Sequence, residues 1–162
     1  MAEHRDFVRD SGLTDVVFKG YVSAEEKIRY YQSCDIFCSP AIGRESQGVV
    51  LLEAMAAGKA VVATALDGYR TVVRHGQDGL LVTPADDTAL AVGLCRLLSD
   101  DGLRRTLAAG GYQKVQAYSW HKVSRQILEL YSESIDRAQH ARTPAGDPAA
   151  GAFGPGLLPH AV

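Results

Sequence analysis

Two glutamates, Glu45 and Glu53, stand with seven residues between them in the stretch Gly43-Arg44-Glu45-Ser46-Gln47-Gly48-Val49-Val50-Leu51-Leu52-Glu53-Ala54-Met55-Ala56-Ala57-Gly58. A strand-like run ends just before it at Pro40, so a polar, glycine-flanked loop leads from a strand into an apolar helix. In an open α/β sheet, that corner is where ligands bind. Gly48 lets backbone come close to a ligand. The N–H groups of Gly48, Val49 and Val50, at the positive end of the helix dipole, suit a diphosphate. Glu53 falls roughly 7–8 Å along the axis at ~1.5 Å per residue, a reach that fits ribose hydroxyls. An unpaired carboxylate among Val, Leu, Met and Ala is expensive, so Glu53 either has a buried cationic partner or faces a ligand crevice. Glu45 is either a loop group beside the sugar beyond the diphosphate or a capping or salt-bridged surface residue. Residue types alone leave both pairs of readings open.

The elements that must hold this corner alternate between short apolar runs and helical patterns, which predicts an α/β fold with a largely parallel sheet. Strands are expected at Val16–Gly20, Asp35–Pro40, Lys59–Thr64 and Gly79–Val82. Their near-continuous apolarity is that of strands covered on both faces. Ser23 with Glu26 three residues on is a capping-box pattern, opening a helix through about Ser33. Val49–Ala57 reads as a short buried helix closed by Gly58. Asp86 or Asp87 can cap a helix carrying Leu90, Leu94, Leu97 and Leu98. Asp100–Ala117 reads as a helix weakened by Gly110-Gly111. A last helix starts near Trp120, and its stripe of Val123, Ile127, Leu128, Tyr131 and Ile135 is expected to be core packing. His75, His121 and the Arg104-Arg105 pair are assigned to the surface. Cys34 and Cys38 are assigned to the core. From about residue 140 to Val162 the chain turns to Ala, Gly and Pro with almost no charge, and is expected to be a disordered tail behind a domain of residues 1–139.

Composition removes several classes. Seventeen Lys and Arg against nineteen Asp and Glu give a formal charge of −2. That balance lacks the footprint of a dedicated nucleic-acid binder. Three cysteines, none in C-x-x-C spacing, argue against a disulfide scaffold or a zinc knuckle and for a reducing compartment, hence a cytoplasmic location. No metal site is expected. The charged start Met1-Ala2-Glu3-His4-Arg5-Asp6 is unlike a signal peptide, and no run is long enough for a membrane span.

The Glu45-x7-Glu53 pattern followed by Ala-Met-Ala-Ala-Gly resembles the signature of retaining GT-B glycosyltransferases of family 4. The flanking runs Phe18-Lys19-Gly20-Tyr21-Val22, Cys34-Asp35-Ile36-Phe37-Cys38-Ser39-Pro40, Ala60-Val61-Val62-Ala63-Thr64 and Gly76-Gln77-Asp78-Gly79-Leu80-Leu81-Val82 follow the same order. The resemblance covers about Asp10 to Ile135. Within the family, Gly43-Arg44-Glu45-Ser46, Leu66-Asp67-Gly68-Tyr69-Arg70 and Tyr118-Ser119-Trp120 look most like actinobacterial phosphatidylinositol mannosyltransferases.

The resemblance implies a Rossmann-like parallel sheet with flanking helices, the C-terminal half of a GT-B fold, and a nucleotide-sugar substrate, GDP-mannose, with no cofactor. Glu45, Ser46, Gln47, Gly48 and Val49 would line the mannose and diphosphate, with Glu45 catalytic. Glu53 would hold the ribose. Val22, Ser23 and Ala24 would offer backbone groups to the guanine edge, and Lys27 matches a family lysine near the nucleotide. Its plainer reading is a solvated surface lysine. Gln47 replaces an aromatic residue common in the family, and Lys59 a small or polar one. The family's first strands, their phosphate-clamping cations and the whole acceptor half have no counterpart before Val16. Such enzymes are roughly twice this length by resemblance, and any membrane contact would fall to the absent half. The chain alone is therefore expected to expose an apolar sheet edge and to show little transfer. A UDP-sugar donor, or a fold retained without catalysis, are the competing expectations.

Overall fold

The computed structural model describes residues 2–142. It runs α1 (Ala2–Asp10), α2 (Ala24–Ser33), β1 (Ile36–Ser39), α3 (Val49–Ala56), β2 (Ala60–Thr64), α4 (Asp67–Val72), β3 (Leu80–Val82), α5 (Asp87–Ser99), α6 (Asp101–Val115) and α7 (Trp120–Arg142), with a 3-10 turn at Gln116–Tyr118. The expected tail shares residues 140–142 with α7, which continues through them; the rest of it lies outside the described residues.

The three strands form one parallel sheet in the order β1-β2-β3. Ile36 registers with Ala60 and Ser39 with Ala63, while Val62 registers with Leu80 and Thr64 with Val82. Alternation along β2 divides the core. Val61 and Ala63 pack with Tyr31, Leu51, Met55 and Tyr69 on one face. Ala60 and Val62 pack with Leu80, Leu97 and Leu107 on the other. All five β2 residues are buried, which is why the run reads as uninterrupted apolar sequence.

Helix starts follow local chemistry. Ser23 caps α2: its side chain accepts from the Glu26 N–H, and the Glu26 carboxylate accepts from the Ser23 N–H. Asp86 caps α5 through the Ala89 N–H, and Asp100 caps α6 through the Leu103 N–H. Gly110 and Gly111 are not a weak point in α6. They seat it against the backbone of Gln77 and, with an added Cβ on Gly111 only 2.9 Å from Met55 Cγ, against α3.

Three expectations need correcting, and one element had no expectation. Val16–Gly20 forms no strand; Val16 and Val17 are 44% and 71% exposed, and no neighbouring strand among the described residues offers a ladder. A strand needs a hydrogen-bonded partner, and apolar side chains alone do not supply one. Helix α1 went unread because its pattern is dominated by charge; it is stapled by Arg9–Asp6 at 2.9 Å, with Arg5 5.3 Å above the Phe18 ring. Arg104 is not a solvated group. Its side chain is 24% exposed, donates to the Leu97 carbonyl at 2.9 Å and pairs with Asp101, closing the α5–α6 corner. The α7 stripe is not core, since Ile127, Leu128, Tyr131 and Ile135 are all exposed. Residues 2–119 and α7 form separate compact units. No described helix is long and apolar enough to cross a membrane.

Candidate donor site

The loop from Pro40 to Gly48 is fixed from three sides. Thr64 at the end of β2 donates its hydroxyl to the Ala41 carbonyl at 2.5 Å. Gly68, in the first turn of α4, lies so close to the Glu45 and Ser46 backbone that no side chain could be accommodated there. Tyr69, 1% exposed, shares a 2.6 Å hydrogen bond between its hydroxyl and that of Ser39. The ring of Tyr69 passes directly over Gly48, where an added Cβ would stand 2.5 Å from Cδ1. Gly48 also adopts φ 78°, so steric and backbone demands coincide on glycine. Arg44 takes φ 64° in the same loop, a left-handed conformation unusual for a residue with a side chain.

Gly48 is thus the N-cap of α3 without a side chain to satisfy the first turn. The Leu51 N–H already bonds to the Gly48 carbonyl at 2.9 Å. The preceding N–H groups, of Val49 and Val50, mark the positive end of the helix. Glu45, Ser46 and Gln47 are exposed on the loop beside them, and Val49 is 57% exposed. The corner therefore gathers Glu45 through Val49 at one helix end.

Glu53, one turn along α3, has the cationic partner that its surroundings demanded. Lys27 Nζ donates to Oε1 at 2.6 Å, with side chains 43% and 33% exposed. Lys27 is accordingly an ion-pair partner rather than a free surface lysine. Tyr31 donates its hydroxyl to Oε2 at 2.9 Å. Lys27 and Tyr31 are four residues apart on α2, so they present one face to α3. A cavity of about 360 Å³ lies beside them, lined by Lys27, Tyr31, Gln32, Glu53 and Ala57. Burial, and then the Glu53 carboxylate, push the Tyr31 phenol well above its ordinary value. Tyr31 was missed in the sequence; the signal available was its spacing of four from Lys27. Val22, Ser23 and Ala24 lead into α2, but the Ser23 N–H is already taken by Glu26. That removes one of the backbone donors expected to face a base. His75 is exposed, yet its Nδ1 accepts the Leu81 N–H at 3.0 Å and so helps shape the turn before β3. Cys34 and Cys38 are partly buried, and burial raises both thiols.

Residues 2–100 match the family model described as "Glycosyl transferases group 1". The chain belongs to this glycosyltransferase family. Over 121 residues it is 46% identical to a phosphatidyl-myo-inositol mannosyltransferase of Mycobacterium leprae, covering 74% of this chain and 32% of that protein. It is 42% identical over 107 residues to a D-inositol 3-phosphate glycosyltransferase of Corynebacterium urealyticum, covering 66% of this chain and 25% of that one. The chain thus spans about a third or less of the curated relatives it matches. Among solved structures, a sucrose-phosphate synthase from Thermosynechococcus elongatus superposes with a TM-score of 0.76 at 33% identity, covering 84% of this chain and 34% of that one. The Anabaena HepE protein in complex with UDP-glucose superposes with a TM-score of 0.75 at 28% identity, covering 82% and 36%. These neighbours are GT-B glycosyltransferases, and the parallel sheet with flanking helices is part of that fold.

Proposed function

We propose that the chain is the donor-binding part of a retaining hexosyltransferase, with GDP-mannose as donor and a phosphatidylinositol-type lipid as acceptor. The observation that carries this reading is the α3 corner: the helix-end N–H groups of the exposed Val49 and Val50, which follow Gly48, with Glu53 held in place one turn further on. The name of the M. leprae relative supports mannose and an inositol lipid. In this reading the diphosphate lies on the Val49 and Val50 N–H groups, and the helix end stabilises the charge that grows on the leaving group. Glu53 holds the ribose, and Lys27 stands beside the nucleoside. Val22, Ser23 and Ala24 border the base, with Ser23 committed to its cap. Ser46 and Gln47 line the sugar. The Glu45 carboxylate stands beside the anomeric carbon and stabilises the positive charge that develops there. No metal enters this scheme. Cationic clamps for the phosphates and the acceptor-binding groups come from outside these residues, so transfer by this chain alone should be negligible.

Calorimetry with GDP, GDP-mannose and UDP-glucose tests the reading. GDP and GDP-mannose should bind more tightly than UDP-glucose, and Glu53→Gln should weaken both by about tenfold or more. Tighter UDP-glucose binding would move the donor to the UDP-sugars, a second reading favoured by the ligand of the HepE neighbour. Failure to bind any of the three would leave only a fold retained without donor binding.

A further inference from the structure

Glu53 is held by two donors that come from a single helix, and each takes a different oxygen. Lys27 Nζ reaches Oε1 at 2.6 Å and Tyr31 reaches Oε2 at 2.9 Å. The lysine is 43% exposed on its side chain, so solvent competes for it. The tyrosine is only 8% exposed, and its ring meets Phe37 of β1 edge-on at 5.2 Å and 63°. The rigid, buried ring and not the flexible lysine therefore decides how the carboxylate is turned. The final torsion of a glutamate is broad and roughly two-fold when nothing holds it. An ionised carboxylate offers about four lone-pair directions over its two oxygens. One on each is occupied here, leaving one on each, a pairing whose chemistry suits the two adjacent hydroxyls of a vicinal diol.

We propose that Tyr31 is a positioning residue for ribose recognition: its hydrogen bond to Oε2 fixes the Glu53 carboxylate plane so that both free lone pairs meet the 2′- and 3′-hydroxyls of the donor nucleotide. This rests on the donor-site reading above and assigns discrimination between ribose and deoxyribose to the α2–α3 contact. Tyr31 acts through Glu53 and touches no reacting atom. The raised phenol keeps the hydroxyl protonated, hence a donor, across the neutral range.

The test measures Kd for GDP and for 2′,3′-dideoxy-GDP on the full 162-residue chain. The unsubstituted chain should prefer GDP by about tenfold or more, the loss expected when hydroxyls facing a carboxylate are removed. Tyr31→Phe retains the ring against Phe37 and should reduce that preference to within about threefold, with dideoxy-GDP binding unchanged. Glu53→Gln should also reduce it, and combining the two substitutions should add little. Equal weakening of both nucleotides by Tyr31→Phe would reveal a packing role and overturn the proposal, as would an undiminished preference. GDP binding without any preference in the unsubstituted chain would overturn the ribose assignment of Glu53, and Tyr31 with it, while leaving a diphosphate site. Absence of GDP binding altogether would overturn the donor-site reading itself.

Discussion

A carboxylate half-buried among apolar side chains with no partner would be costly at Glu53, and the structure meets that cost with Lys27 and Tyr31 rather than leaving the group to a ligand alone. Asp78 is a second case. Its side chain is 6% exposed, accepts from the Arg74 N–H at 2.6 Å, and pairs with Lys114 at 3.1 Å. Lys114→Met should therefore cost about 3 kcal/mol in urea unfolding, because Asp78 would be left charged and buried. Replacing both residues with apolar ones should recover part of that loss. Gly48→Ala places a methyl group against the Tyr69 ring at a positive φ, and should lower stability by about 2 kcal/mol or more by the same measurement. The thiols also separate by environment. Burial raises Cys34 and Cys38, whereas Cys95 is exposed, so a thiol reagent near neutral pH should modify Cys95 first and the other two slowly. At this scale the sequence named Glu45, Gly48 and Glu53 because glycine and carboxylate types stand out in an apolar run. It did not name Tyr31 or the Asp78–Lys114 pair, whose partners are distant in the chain and join only through the packing of α2 on α3 and of α6 on the 74–79 turn.

Helix boundaries were the most legible elements, because caps are local chemistry. Ser23, Asp86 and Asp100 each accept an N–H three residues ahead: Ser23 as its position foretold, Asp86 as one of the two candidates, and Asp100 as a cap where the sequence suggested the helix's first residue. The Ser23–Glu26 box also carries a pH dependence. Hydrogen bonds from the Ser23 backbone, and then its side chain, hold the Glu26 carboxyl below its ordinary value. Its support of α2 is therefore full above the unfolded-state value and is lost as pH falls through the lowered one. Amide exchange at the start of α2 should quicken in acid across that window, and Glu26→Gln should flatten the change. The α7 stripe and the 16–20 run mark the opposite limit. Apolar periodicity announces a face that suits burial, but it does not say which surface covers it. In the described chain, Ile127, Leu128, Tyr131 and Ile135 remain exposed.

For the molecule as a whole, the parallel sheet was readable from apolar runs such as Ala60–Thr64, buried throughout, while its extent was not: four strands were expected and three form among the described residues. Strand β1 is an outer strand among the described residues, and Val16, Val17, Tyr21 and Ile42 are exposed. Such an edge favours association with other chains. The purified chain should accordingly associate as concentration rises, which light scattering would reveal; a monomer at every concentration would count against this. The glycine pair in α6 bears on the donor site from the opposite side. With hydrogen where a Cβ would meet Met55, the α6 backbone at Gly111 rests directly on the Met55 side chain of α3. The helix end proposed to receive the diphosphate is thus closely backed by α6, and adjustment to a ligand falls to the loop in front of it, where Arg44 sits in an uncommon conformation.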